Sequence, residues 1–137
     1  MEMGVIRLGD AAVALRGVSL PDGKSFFSLD CPSSCTEEYF EDDEVTIFNH
    51  LLHMHENGQR LETRQYRTDS SGNEALVHTT EVEYYSFNQA GVHAVANNGS
   101  ATIKKGDRFE ADCFYDTYLS SVGSENVTFG LGSEDEM

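Results

Sequence analysis

The chain has 137 residues and a mass of 15.2 kDa, which suits one domain of ordinary size, so we predict a single domain over residues 1–137. Its 9 basic and 24 acidic residues give a net charge of −15 at pH 7. That charge repels the phosphate backbone of nucleic acids and anionic membrane surfaces. No apolar run approaches the ~18 residues of a membrane-spanning helix. We therefore expect no nucleic-acid partner and no membrane insertion.

Turn residues recur at short intervals and divide the chain into segments typical of β-strands. The clearest pattern puts Phe109 and Tyr115 on one face of a strand and Glu110 and Asp112 on the other. Many short strands without alternating helices predict an antiparallel sandwich or barrel. No window predicts a helix, and residues 36–43 are expected to form a solvated loop rather than a helical turn. The predicted strands cover residues 12–20, 25–29, 45–55, 61–67, 75–87, 109–115 and 127–131.

Acidic residues cluster in two runs, residues 37–44 and residues 134–136. Neither run has the alternating ligand spacing of a calcium loop. Both are therefore predicted to be solvated surface.

The three cysteines, Cys31, Cys35 and Cys113, leave an odd thiol. Cys31 and Cys35 are spaced one residue too far apart for the redox C-x-x-C pattern, and the cysteines do not complete a zinc site. Cys113 is expected to be either a buried thiol or half of a disulfide. Two sequons, at Asn98 and Asn126, are candidate glycosylation sites and favour the secretory pathway, although about one sequon is expected by chance.

His53 and His55 form an H-x-H pair that carries the clearest chemical signal. On an extended strand they project from one face about 6.6 Å apart at Cα, whereas His50 points to the opposite face. Paired imidazoles suit zinc, copper, iron or nickel, but the same pattern also fits two unligated histidines on a half-buried strand.

A third ligand would have to come from a distant strand. The candidates are His78, His93, Cys113, an acid or a thioether. Nucleophilic catalysis has little support, because the sequence contains no Gly-x-Ser-x-Gly elbow.

A series of landmarks extends over nearly the whole chain: Cys31–Thr36, His53–Arg60, Arg67, Tyr85–Phe87, Lys105–Asp107, Cys113–Thr117 and Gly130–Met137. In this order they resemble the C-terminal domain of the copper type II, ascorbate-dependent monooxygenases. That is the family of dopamine beta-monooxygenase and peptidylglycine alpha-hydroxylating monooxygenase.

The resemblance implies an all-β, antiparallel β-sandwich of jelly-roll-like topology. It implies that His53, His55 and Met137 are the ligands of one copper ion per chain, and a thioether is a soft donor that favours Cu(I). The implied reaction is hydroxylation of a C–H bond of a small organic substrate with dioxygen, with ascorbate as electron donor to the parent protein.

The departures from the family pattern also matter. The preceding copper domain that passes in electrons is missing, so this chain alone is not expected to turn over by the normal route. The chain looks truncated after Met137, which leaves Cys113 without its usual partner. Leu51 replaces the arginine with which the peptide-amidating branch holds a substrate carboxylate, so we do not expect peptide amidation.

The resemblance implies a location in the secretory lumen or outside the cell. It leaves both a monomer and an oligomer open. The rival interpretation is a noncatalytic copper-binding or structural module of an extracellular assembly that retains the fold. A third interpretation is a metal-free hormone- or lectin-like sandwich.

Overall fold

The computed structural model describes residues 4–9, 16–89, 91, 93–94, 101–118, 127–130 and 135–136. Within them, eight strands and one short helix follow in the order β1 (Lys24–Cys31), α1 (Ser33–Tyr39), β2 (Glu44–Ile47), β3 (Asn49–His50), β4 (Gly58–Thr68), β5 (Glu74–Val82), β6 (His93–Ala94), β7 (Ala101–Lys104) and β8 (Arg108–Asp116). A 3₁₀ turn, Phe87–Gln89, lies between β5 and β6. No helix in this described part of the chain has the length and apolar character needed to cross a bilayer.

All strand pairs are antiparallel, and the predicted fold class, an all-β antiparallel sandwich, is confirmed. The largest sheet has the strand order β1-β8-β4-β5, while β2 pairs with β7 and β3 pairs with β6. Strands β4 and β8 lie at the centre of the large sheet. On β8 the side chains alternate as the period-two pattern predicted, with Phe109 and Tyr115 buried on the inner face and Glu110 and Asp112 in ion pairs on the outer face.

The inner face of the large sheet contributes Leu61 and Tyr115 to the core, and Cys113 packs against it. Phe129, from the segment after β8, contacts both Phe27 and Tyr115, with ring centroids 4.8 and 5.6 Å apart. The buried members of the core cluster are Leu20, Met54, Leu61, Tyr85, Tyr115 and Phe129. The core therefore joins the sheet to the segment that contains His53 and His55.

The outer face of the large sheet carries a cross-strand ladder of ion pairs. Arg64 on β4 contacts Glu62, Glu110 and Asp112 at 3.1, 3.1 and 2.6 Å. Arg108 extends the ladder to Glu110 at 2.6 Å. These side chains are partly exposed, and each such pair stabilises the fold by only about 0–1 kcal/mol. The ladder explains how one face of the sheet remains in water.

The predicted strand boundaries are confirmed best in the large sheet, where β1, β4 and β8 cover the predicted segments. The predicted strand over residues 45–55 is wrong in its second half: β2 and β3 end by His50, and residues 51–55 belong to no strand. β5 ends at Val82, before the predicted limit of residue 87. Strand β7 was not predicted. Residues 12–15 and 131 of the predicted strands lie outside the described residues.

Helix α1 corrects the prediction of a solvated loop over residues 36–43. It begins at Ser33, after Pro32 at the N-cap position, and Thr36 lies inside it rather than capping it. The Thr36 hydroxyl donates to the carbonyl of Asp107 at 2.9 Å and accepts the N–H of Gly106 at 3.0 Å. At 7 residues, the helix is too short to show a helical period, and this tertiary contact stabilises it.

Asp107 ends the Lys105–Asp107 landmark and is fully buried. Its carboxylate accepts two hydrogen bonds from Arg67, at 2.8 and 2.7 Å, one from Gln65 at 2.6 Å and one from the backbone of Lys104 at 2.8 Å. Burial by itself would raise the pKa of the Asp107 carboxyl. The hydrogen bonds, led by those from Arg67, outweigh burial and lower this pKa below its ordinary value.

Because the Asp107 pKa is lower in the folded chain, its charge adds stability above the unfolded pKa, ~3.9, and that contribution is lost as the pH falls through the folded value. We expect Asp107→Asn to lower the free energy of unfolding at pH 7 by ~3 kcal/mol, because the amide presents a donor to Arg67. Urea denaturation measures the difference, which should shrink below pH ~4. The exposed control Asp42→Asn should have little effect, and a difference independent of pH would contradict this account.

Candidate functional site

The two histidines of the H-x-H pair lie side by side in the segment between β3 and β4. Their ring centroids are 5.2 Å apart, with the ring planes at 82°. His55 is buried, with 9% of its surface exposed, whereas His53 is exposed. The strand geometry that we used to predict this proximity is absent here, because residues 51–55 have left the sheet. The imidazoles are nevertheless adjacent, for reasons that lie in the surrounding contacts.

Met54, between the two histidines, is fully buried and belongs to the core cluster. The hydroxyl of Tyr85 accepts the backbone N–H of Met54 at 3.0 Å and donates to its carbonyl at 2.5 Å. Tyr85 is itself buried, and the pKa of its hydroxyl is raised chiefly by that burial. A single side chain therefore satisfies both polar backbone groups of a residue that no strand partner supports.

Gly58 closes the turn that follows the histidines. Its N–H donates to the carbonyl of His55 at 3.2 Å. A Cβ on Gly58 would lie 2.6 Å from the Cβ and 2.7 Å from the Cε of Met54. Only glycine permits this approach without displacing the residue between the histidines.

Glu136 is fully buried, which corrects the prediction that residues 134–136 are solvated surface. Its Oε1 accepts the backbone N–H of His55 at 2.5 Å. Its Oε2 accepts the backbone N–H of Asn57 at 2.9 Å and the Asn57 side-chain amide at 3.2 Å. Hydrogen bonds from N–H groups compensate the desolvation of this carboxylate.

The ring of His55 is oriented by the neighbouring residue Asp135. Its Nδ1 lies 2.5 Å from the backbone carbonyl oxygen of Asp135. A carbonyl oxygen only accepts hydrogen bonds, so Nδ1 carries a hydrogen, and in the neutral ring Nε2 then carries the lone pair. Metal-bound histidines typically have this arrangement, with the second ring nitrogen donating to a carbonyl or carboxylate.

His53 is also suited to donate a lone pair. Desolvation and the neighbouring His55 lower the pKa of His53, in that order, although the charge of Glu136 opposes them. The imidazole therefore stays neutral at neutral pH. The side chain of Phe87 contacts both rings, with centroid distances of 6.0 Å to His53 and 5.6 Å to His55. The donor set of two neutral imidazoles fits copper, but also fits zinc, iron or nickel.

The candidates for the third ligand differ in whether the structure describes them. Met137 lies outside the described residues, as do the sequons' Asn98 and Asn126. His78 lies on β5, where its Nε2 is 3.1 Å from the Thr80 hydroxyl. Among the described residues, no three His, Cys, Asp or Glu side chains are grouped so that they could hold a metal ion.

All three predicted disulfide candidates have free thiols. Cys31 and Cys35 are close enough for their side chains to hydrogen-bond. Burial, followed by this contact and the charge of Asp30, raises the pKa of Cys31 to about 11. Cys113 lies on the inner face of β8, where burial raises the pKa of its thiol. The raised pKa values keep the thiols of Cys31 and Cys113 protonated at neutral pH and make them poor nucleophiles. The disulfides stay a prediction.

We expect Gly58→Ala to lower the free energy of unfolding by about 1–3 kcal/mol, because its methyl group would overlap Met54. Met54 Cβ cannot retreat without shifting the backbone between His53 and His55. Gly9→Ala is the matched control, since a Cβ at Gly9 would meet nothing within 4 Å. Thermal unfolding of both variants tests this expectation, and equal midpoints for the two would disprove the close contact.

We expect the amide hydrogen of Met54 to exchange faster in Tyr85→Phe, because this variant lacks the hydroxyl that accepts the hydrogen bond of the Met54 N–H. The two backbone groups left unsatisfied should cost about 1–3 kcal/mol of folding stability. Tyr84→Phe, at a side chain that is 85% exposed, is the control and should change neither quantity. Site-resolved hydrogen exchange by NMR measures the first effect, and urea denaturation measures the second.

Comparison with known proteins places this site in a family. A model of the C-terminal domain of the copper type II ascorbate-dependent monooxygenases matches residues 1–137. The chain is 30% identical over 143 residues to tyramine beta-hydroxylase of Caenorhabditis briggsae, covering 98% of the chain and 23% of that protein. It is 28% identical over 141 residues to MOXD1 homolog 1 of Drosophila melanogaster, covering 96% of the chain and 19% of that protein.

The chain thus spans about a fifth of the length of these curated relatives. The match over the full 137 residues confirms the resemblance that the landmark residues indicated. The chain belongs to the copper type II ascorbate-dependent monooxygenase family, of which it contains the C-terminal domain.

Proposed function

We propose that this chain is the catalytic-copper half of a monooxygenase that hydroxylates a C–H bond of a small organic substrate. One copper ion would be held by His53, His55 and Met137. The proposal is supported by family membership and by the chemistry of the two histidines. We further propose that the protein works in the secretory lumen or outside the cell, on the basis of the sequons at Asn98 and Asn126.

The observation that carries the proposal is the state of the histidine pair. The two imidazole centroids are 5.2 Å apart, with the rings edge to face. Here the Nδ1 of His55 is engaged by the Asp135 carbonyl, and the pKa of His53 is lowered. Both rings therefore offer lone pairs in one small region of the protein surface.

The third proposed ligand follows Glu136 in the sequence. The carboxylate of Glu136 binds the backbone of His55, 81 positions away in the chain. The peptide bond that leads to residue 137 thus starts from a residue fixed to the histidine segment. This anchoring favours Met137 over His78, which hydrogen-bonds within β5.

A bound copper ion would supply the one-electron redox chemistry that couples dioxygen to the substrate. In the overall reaction, one oxygen atom enters the C–H bond to give C–OH and the other becomes water. Ascorbate supplies the two electrons and two protons, in keeping with the ascorbate dependence of the family. The chain's own residues hold the imidazoles in place and keep His53 neutral.

Two exposed apolar side chains lie in the histidine segment or against it. Leu51, two residues before His53, is 52% exposed, and Phe87 beside both imidazoles is 42% exposed. Neither side chain can hold a carboxylate, so we do not propose a peptide-amidating activity. A substrate whose reacting carbon lies in an apolar or aromatic part fits this surface better.

We expect the anaerobic chain to bind one Cu(I), with a sulfur contact visible by X-ray absorption at the copper edge. Met137→Leu should remove the sulfur contact and keep both nitrogen donors. Met54→Leu is the matched control: Met54 is buried in the core, so this variant should keep the sulfur contact.

A second pair of variants tests the imidazoles. His53→Ala should weaken Cu(I) binding by at least tenfold, whereas His78→Ala should leave it unchanged. If copper does not bind, or if His53→Ala and Met137→Leu both bind it as tightly as the unaltered chain, the fold is present without this chemistry. That outcome would favour the noncatalytic module.

A further inference from the structure

Two consecutive residues, Asp135 and Glu136, contact His55 at different groups, and we refer to this pair as the clip. The carbonyl oxygen of Asp135 is 2.5 Å from His55 Nδ1. The carboxylate of Glu136 accepts the N–H of His55 at 2.5 Å and that of Asn57 at 2.9 Å. The clip thus holds both the backbone and the ring of one histidine.

The clip is fixed to the core by its own backbone. The N–H of Glu136 donates to the carbonyl of Thr128 at 2.8 Å, and its carbonyl accepts the N–H of Gly130 at 3.0 Å. Between them, Phe129 is 4% exposed and belongs to the core cluster. The clip therefore also has backbone contacts to the core that involve none of the proposed metal ligands.

Docking of the clip carries a clear chemical requirement. The Glu136 carboxylate is fully buried, so loss of its N–H donors would leave its desolvation less well compensated. Conversely, the N–H groups of His55 and Asn57 would lose their acceptor if the clip moved away. Mutual satisfaction makes the docked arrangement cooperative.

The clip also selects one tautomer of His55. In the alternative tautomer, with the hydrogen on Nε2, the lone pair of Nδ1 would face the lone pairs of the Asp135 carbonyl. The docked clip excludes that form, and Nε2 is left able to bind a metal ion.

We propose that Glu136 is a positioning residue: by docking the clip, it sets the tautomer and orientation of His55 before copper binds. The metal-binding half of this inference rests on the proposed function. Clip docking and Cu(I) binding are then linked, so that each strengthens the other by the same factor. Any group that pulls residues 135–136 away would weaken the site without touching a ligand.

The test uses all 137 residues of the chain and the near-isosteric variant Glu136→Gln, whose amide turns a donor toward N–H groups. Glu38→Gln, at an exposed position on α1, is the matched control. In metal-free protein, long-range ¹⁵N NMR reports the His55 tautomer, and amide exchange reports the His55 N–H. Competition with a chromophoric chelator reports Cu(I) affinity.

We expect Glu136→Gln to give mixed His55 tautomers, faster exchange of the His55 N–H and roughly 10- to 100-fold weaker Cu(I) binding. Glu38→Gln should match the unaltered chain in all three. The inference is overturned if Glu136→Gln keeps a single Nδ1–H tautomer and undiminished Cu(I) affinity, whether or not its amide exchange changes.

A second variant covers the case in which Glu136→Gln does not fold. Asn57→Ala removes the side-chain donor to Glu136. It should also mix the His55 tautomers, speed exchange of the His55 N–H and weaken Cu(I) binding, each by a smaller amount than Glu136→Gln. No shift in either the tautomer or the affinity would overturn the inference. Failure of the unaltered chain to bind Cu(I) would count against the proposed function alone, because the tautomer measurement needs no metal.

Discussion

Residues 53–57 lie outside the sheet, before β4 begins, and their buried N–H and carbonyl groups must therefore find partners outside any strand ladder. Tyr85 satisfies both groups of Met54, and Glu136 satisfies the N–H groups of His55 and Asn57. These partners lie 31, 81 and 79 positions away. The geometry of the histidine pair is thus set by long-range contacts and is available only once the core has formed.

Two buried carboxylates organise the fold in different ways. The charge of Asp107 is met by Arg67, which ties the turn before β8 to β4. The carboxylate of Glu136 accepts hydrogen bonds from the N–H groups of His55 and Asn57. Asp107 also accepts the N–H of Lys104 and the side-chain amide of Gln65, so both carboxylates depend on donors placed within hydrogen-bonding distance. The donors to Glu136 come from the segment that presents the two imidazoles.

Sequence patterns predicted the elements that are determined by residues close together in the chain. Alternation of apolar and charged residues identified β8, and glycine turns separated β4 from its neighbours. The pattern failed at α1, which is too short for a helical period and depends on the contact of Thr36 with Asp107. It failed again at Glu136, because an acidic run looks solvated unless its distant N–H donors are known. The proximity of His53 and His55 was predicted, but from a strand that the structure does not contain.

The residues of the H-x-H-x-x-G motif, His53 to Gly58, pack together as one unit. With His53 and His55 at the candidate site, Met54 between them enters the core. Its side chain then occupies the space where a Cβ of Gly58 would lie, so the inward methionine requires the glycine. The Tyr85–Phe87 landmark completes the unit: Tyr85 binds the backbone of Met54 while Phe87 contacts both imidazoles. A motif can therefore persist through packing even where its metal chemistry is altered, and the landmarks establish the family more firmly than they establish turnover.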